Sequence, residues 1–151
     1  NGNVGMVGFA MSEDNIDRIL AHRLGMVCTD GGAFAVDGPT RRGSPHPRGI
    51  GSFPRIIARY VRERRALTLE DALCKMSTAQ ARLCKLTGRG VLSNGAFADV
   101  VVFDPMTIAD RATFDDPFRY PIGFRAVIVN GRVALDGDQR TGDGNGRAIR
   151  A

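Results

Sequence analysis

Met26-Val27-Cys28-Thr29-Asp30-Gly31-Gly32 is the stretch on which the fold turns. Three apolar residues lead into a polar pair and two glycines, and a long polar loop follows, Ala33 to Pro47, carrying Arg41, Arg42 and His46, with Arg48 at its end. That order predicts a short strand buried on both faces, whose end delivers a carboxylate to an opening lined with basic groups. Such strands read as continuous apolar runs, and in barrels built from them the chemistry sits at the C-terminal strand ends. Asp30 falls at that end. Asp-Gly after an apolar run is also ordinary turn chemistry, because Asp bonds its own downstream backbone and Gly accepts positive φ. Spacing alone leaves both readings open.

Composition narrows the class. In 151 residues, 43% are hydrophobic and 25% charged, a globular balance rather than a disordered one. The net charge of +5 comes from arginines and lysines scattered over the whole length, with aromatic residues at only 7%. Scattered charge of this kind is a solvated surface, and no nucleic-acid partner is expected. No apolar run approaches the roughly 20 residues that span a bilayer, and the first residues lack the basic-then-apolar layout of a signal peptide. A soluble, cytoplasmic protein without a membrane partner is the expectation. Cys28, Cys74 and Cys84 form an odd set without CxxC spacing, so neither a disulfide framework nor a zinc knuckle is supported. All three are expected as small buried or half-buried apolar residues.

Along the chain, Val4, Met6 and Val7 suggest a first short strand. Ser12 reads as an N-cap, with Ile16, Ile19, Leu20 and Leu24 on one helical face and Gly25 as the stop. After the long loop, Ser52 with Pro54 predicts a helix carrying Phe53, Ile56, Ile57, Tyr60 and Val61, which ends in Arg62-Glu63-Arg64-Arg65. Thr68 with Asp71 opens a helix bearing Leu69, Leu73 and Met76, and the Ser77-x-x-Gln80 box opens another with Leu83 and Leu86 inward and Gly88 as the stop. From Arg89 the texture becomes β: Val91-Leu92, a turn at Ser93-Asn94-Gly95, a strand at Ala98 to Phe103 closed by Asp104-Pro105, and two apolar arms about Asn130-Gly131, a type I′ hairpin signal. The glycine- and aspartate-rich tail from Asp136 is expected to be loose, because Arg140 stands where a calcium loop needs an oxygen ligand.

The run Gly90-Val91-Leu92-Ser93-Asn94-Gly95-Ala96-Phe97-Ala98-Asp99-Val100-Val101-Val102-Phe103-Asp104 resembles the C-terminal signature of the amidohydrolase superfamily, and Val127 to Gly131 resembles its companion hairpin. Met11 to Asn15, Cys28-Thr29-Asp30-Gly31, Pro45-His46-Pro47-Arg48 and Gly51 to Arg55 are together similar to the N-acyl-D-amino-acid deacylases. The resemblance implies an α/β fold: residues 1–88 as the last strand and helices of a TIM-like metal-dependent hydrolase barrel, and residues 89–151 as a small composite β-sandwich module with a loose tail. It also implies a zinc-activated water attacking an amide carbonyl of a small-molecule N-acyl-D-amino acid. Asp30 matches the family carboxylate that takes and returns the proton and can touch a second, weaker metal. Arg48 matches the arginine that holds the substrate carboxylate, with His46 and Gly31 beside it in the substrate pocket.

The family's His-x-His pair, its bridging Cys and its two later metal-binding His residues have no counterpart here; the sequence holds only His22 and His46. Catalytic zinc takes about three protein ligands. The expectation is therefore the C-terminal third of a deacylase that binds no zinc and is inactive alone. Its apolar faces at 53–61 and 69–86, left uncovered, would favour self-association. Another amidohydrolase of dihydroorotase or hydantoinase type, or a non-catalytic remnant used as a binding module, are the competing readings.

Overall fold

Local capping chemistry sets where the first helix begins. The Ser12 hydroxyl accepts the Asn15 N–H at 3.3 Å and opens α1, Glu13–Ala21. The computed structural model describes residues 8, 10–142 and 144–149, so the strand expected around Val4 to Val7 lies outside the described residues. Helix α1 stops at His22, earlier than Gly25. Glycine is required at 25 for room: a Cβ there would lie 2.3 Å from the Ile19 carbonyl oxygen. Ile16 and Leu20 face the core, whereas Ile19 and Leu24 are exposed.

The second helix, α2, spans Arg48–Arg55 and begins one turn before the expected Ser52 cap. Ser52 instead donates its hydroxyl to the Arg48 carbonyl at 2.8 Å, inside the helix. Pro54 lacks an N–H and removes one bond of the helical ladder. From Ile56 to Glu63 the chain is wound as a π-helix, an uncommon form mostly found as single turns. Thr68 caps α3, Leu69–Met76, through the Asp71 N–H at 3.1 Å, as its spacing predicts. Ser77 precedes α4, Thr78–Leu83, but makes no side-chain cap. Leu83 is exposed rather than inward.

One core cluster joins α1, α2, the π-helix and α3: Leu20, Val27, Ile56, Tyr60, Leu67 and Ala72, with Ile16, Phe53, Val61 and Met76 packed against it. The apolar face of 53–61 is thus covered, contrary to expectation. An ionic seam closes α1 on the π-helix. Glu13 accepts from Arg59 Nε at 3.3 Å and from the Tyr60 hydroxyl at 3.1 Å, and Arg64 Nε forks onto both Asp17 oxygens at 3.1 and 3.0 Å. The Arg59 hydrogen bond first, then those of Tyr60 and the nearby guanidinium charges, hold the Glu13 carboxyl below its usual value against the opposing effect of burial.

Beyond residue 99 the strands β1 (Val100–Phe103), β2 (Phe124–Val129), β3 (Arg132–Asp136) and β4 (Gln139–Arg140) form one antiparallel sheet in chain order. Val91-Leu92 is not a strand, and β4 makes the start of the supposedly loose tail part of the sheet. Asn130 and Gly131, at φ 49° and 80°, form the two-residue turn between β2 and β3, both in the left-handed region that a type I′ turn demands. Asp99 clamps that turn by accepting the Asn130 N–H at 2.8 Å while pairing with Arg89. The two halves meet where Arg62 Nη1 donates to the carbonyls of Pro105 and Ile108 at 3.0 Å each.

Candidate functional site

Asp30 is carried on a lead-in, Met26 to Thr29, that is neither helix nor strand. Among the described residues no second strand pairs with it, and the helices hold it instead. The Val27 N–H donates to the Lys75 carbonyl at 3.3 Å and Gln80 Nε2 donates to the Val27 carbonyl, while Lys75 Nζ donates to the carbonyls of His22 at 2.6 Å and Gly25 at 3.1 Å. Val27 is buried, as an apolar lead-in requires. Cys28 is exposed, as are Cys74 and Cys84, so the expectation of buried thiols fails. Cys28 Sγ accepts the Asp30 N–H at 3.3 Å, a role that needs the sulfur turned back along the chain rather than into the core.

Asp30 itself sits at φ 45°. Positive φ is uncommon outside glycine and is tolerated best by Asn and Asp, so the backbone here is held by its surroundings. What holds it is Arg48, whose Nε donates to the Asp30 carbonyl at 2.9 Å while Nη2 lies 2.7 Å from Asp30 Oδ2. Both side chains reach solvent, at 80% and 44% exposure for Asp30 and Arg48. A carboxylate and a guanidinium fork are therefore presented together at the surface. One can take a proton, and the other can receive a second carboxylate.

Glycines make this approach possible. A Cβ on Gly31 would lie 2.6 Å from the Gly49 Cα, a backbone atom that cannot step aside, so the Asp30 turn and the first turn of α2 touch only because position 31 has no side chain. Gly31, expected to line a substrate pocket, makes a close backbone contact with Gly49. Gly51, two residues after Gly49, lies close enough to the sheet half that a Cβ would be 3.1 Å from Asp110 Cβ, and Arg55 closes that contact with an ion pair to Asp110 at 3.1 Å.

His46 joins the pair from the loop side, its Nδ1 accepting the Arg48 N–H at 3.0 Å. Burial, with the Arg48 charge second, pushes its pKa below the usual imidazole value, against a smaller opposing pull from Asp30. Nδ1 must be bare to accept that bond, which places the proton of the neutral ring on Nε2. All four residues singled out by sequence, Asp30, Gly31, His46 and Arg48, thus come together. Sequence reasoning missed Lys75 and Gln80, which grip the lead-in, and Phe114, whose ring meets His46 edge to face with centroids 4.9 Å apart. No local signal marks these roles: the Ser77-x-x-Gln80 spacing points Gln80 to a cap instead, and each of the three acts on a residue more than 50 positions away.

A model of the Amidohydrolase family matches residues 32–135. The chain is 46% identical over 127 residues to N-acyl-D-glutamate deacylase of Alcaligenes xylosoxydans xylosoxydans, covering 84% of this chain and 25% of that protein. It is 39% identical over 145 residues to D-aminoacylase of the same organism, covering 96% and 28%. Among solved structures it superposes on D-aminoacylase with a TM-score of 0.84 at 37% identity, covering 93% of this chain and 28% of that one. It superposes on N-acyl-D-glutamate deacylase from Bordetella bronchiseptica, complexed with zinc and a phosphonate mimic of the tetrahedral intermediate, with a TM-score of 0.82 at 46% identity, covering 95% and 28%. The chain spans about a quarter of the length of the curated relatives it matches.

Zinc in that relative can be tested against the donors present here. Among the described residues no three His, Cys, Asp or Glu side chains gather as a metal site, and an Asp30 oxygen is engaged by Arg48. One available carboxylate falls short of the three protein ligands that catalytic zinc takes. The described residues by themselves do not make a zinc site. The matched span, the identities and the superpositions agree on one assignment: the chain belongs to the amidohydrolase family.

Proposed function

We propose that this chain is the C-terminal part of a hydrolase that cleaves the amide bond of N-acyl-D-amino acids. Residues 1–88 would close its barrel and residues 89–151 would form most of its β-sandwich. The observation that carries the reading is the Asp30–Arg48 pair, joined at 2.7 Å and open to solvent at the head of α2. In the reaction, water adds to the amide carbonyl carbon and the C–N bond breaks. Asp30 accepts the proton that water loses and returns it to the departing amine nitrogen, so the carboxylate ends as it began. Arg48 receives the free carboxylate of the amino acid, for which its planar fork is suited. The two lie 18 positions apart in sequence and both side chains are open to solvent, so substrate can reach the pair. A metal in the complete enzyme needs ligands beyond those described here, and the 151-residue chain alone is expected to be inactive.

The test is made in a complete enzyme containing this segment. Asp30→Asn keeps the shape and removes the proton acceptor, and kcat on an N-acetyl-D-amino acid should fall about 10²- to 10⁴-fold. Arg48→Lys loses the bidentate fork and should mainly raise KM. An amide analogue without the free carboxylate should not respond to Arg48→Lys. Full activity in Asp30→Asn would remove the proton-transfer role, and equal loss by Arg48→Lys on both substrates would leave Arg48 as a support for the loop.

A further inference from the structure

The sheet half reaches back to the candidate site through the connection between β1 and β2. Its base is fixed: Ala109 and Ile122 form a backbone bridge in both directions at 3.2 and 3.0 Å, and Ile108 is only 2% exposed. Gly123, at φ 87°, lets the chain cross Ile108 so closely that a Cβ would lie 2.4 Å from the Ile108 Cα. The tip is turned by Thr113, whose hydroxyl accepts the Asp116 N–H at 2.9 Å. Two aromatic rings carried here meet the polar loop. Phe114 packs on His46 with an interplanar angle of 74°, and the Phe118 ring lies 4.6 Å from the Arg41 guanidinium carbon.

We infer that Phe114 is a positioning residue for the Asp30–Arg48 pair, acting through His46. The imidazole is fixed on one side by the Phe114 ring and on the other by the Arg48 N–H at 3.0 Å. That N–H belongs to the first residue of α2, whose side chain then holds both the carbonyl and the carboxylate of Asp30. Without the Phe114 edge, the imidazole is free to turn about its side-chain bonds and its bond to the Arg48 N–H loses its fixed direction. The start of α2 then loosens, and with it the aim of the guanidinium. Because the fork is the part displaced, the loss falls on recognition of the substrate carboxylate. Phe114 touches neither substrate nor reacting atoms in this account.

The inference rests on the deacylase reading above and is tested in the same complete enzyme. Phe114→Ala should raise KM for an N-acetyl-D-amino acid about 2- to 10-fold, the range an aromatic pair is worth, with kcat little changed. The carboxylate-free analogue should show no such rise, and Phe114→Tyr, which keeps the ring, should restore KM. In a His46→Ala background the Phe114→Ala change should add almost nothing, since the two act as one unit. If Phe114→Ala does not accumulate as folded protein, Phe114→Leu, which keeps apolar bulk without the ring, is read the same way. An unchanged KM, an equal loss on the carboxylate-free analogue, or an additive double variant would each overturn the inference. If Asp30→Asn and Arg48→Lys behave as expected while these variants do not, the positioning role alone falls.

Discussion

The helical half and the sheet half are held together by different forces. Around α1, the π-helix and α3, Ile56, Ile57, Ala58, Tyr60 and Ala72 are all buried, and an ionic seam of Glu13, Asp17, Arg59 and Arg64 seals the edge. In the sheet, Val101, Val102 and Val133 are 51%, 45% and 43% exposed, and among the described residues no residue of β1 to β4 is buried. The sheet stands on its backbone ladder and on the Asp99 clamp rather than on a packed layer. Even a sheet of four strands needs a packed hydrophobic face or a covering helix to be stable by itself. Stability should therefore be concentrated in the helices that carry the lead-in to Asp30, with the sheet contributing little through its side chains.

The contrast can be broken most directly in the core. Tyr60→Ala removes a buried ring and the hydroxyl that holds Glu13, and should cost about 3–5 kcal/mol in denaturant unfolding. A loss under about 1 kcal/mol would mean that the cluster around Tyr60 is not the main core. Lys75→Met comes next. It keeps the buried stem but leaves the His22 and Gly25 carbonyls without their donor, and should cost about 1–3 kcal/mol, with faster amide exchange along residues 22–30. Unaltered exchange there would show that Lys75 does not fix the lead-in.

Acid should weaken both halves through carboxylates. Glu13 and Asp17 are held low chiefly by hydrogen bonds from Arg59 and Arg64, and Asp99 chiefly by the Asn130 N–H. A carboxyl depressed in the folded state gives stability that is fully present above its unfolded value, about 4, and lost as pH falls through the lower folded value. Unfolding midpoints should thus ease as pH falls below about 6.5, where the depressed His46 imidazole resists its proton, and drop further below about pH 4 as the carboxylates protonate. Glu13→Gln should be less stable at neutral pH and show a shallower acid drop, and an unchanged acid limb would exclude Glu13 from it. The smallest effect is expected at Val101→Ala, within about 0.5 kcal/mol because the side chain is half in solvent. A loss comparable to that of Tyr60→Ala would erase the contrast between the halves.

Much of the fold was legible where a residue's partner is its own neighbour in sequence. Ser12 and Thr68 cap helices as their spacing says, and Asn130-Gly131 turns the hairpin. The Ser77-x-x-Gln80 box failed for a physical reason. The Ser77 N–H that the box would offer Gln80 is already donated to the Cys74 carbonyl at 3.3 Å, whereas the Val27 carbonyl, on a buried residue, is costly to leave unpaired, and the long amide reaches it. Ser52 failed likewise, because Arg48, tied to Asp30, starts the helix a turn earlier. The expected strand at Met26 to Cys28 is not formed among the described residues, and of the three only Val27 is buried. A strand needs a partner ladder, and here helices supply the hydrogen bonds.

The sequence by itself therefore determined the chemistry on offer: a carboxylate at Asp30, a guanidinium at Arg48, a histidine two residues before it, and the motifs that mark the family. Only the tertiary structure decided that the two charges meet at 2.7 Å, that Asp30 adopts φ 45°, and that Phe114, 68 positions beyond His46, packs against that ring. The reason is range. Caps and turns are set by bonds spanning a few residues, whose partners the sequence places side by side. The aim of the Asp30–Arg48 pair is set by glycines that let backbones touch and by side chains arriving from distant elements, and no local pattern records which of them will arrive.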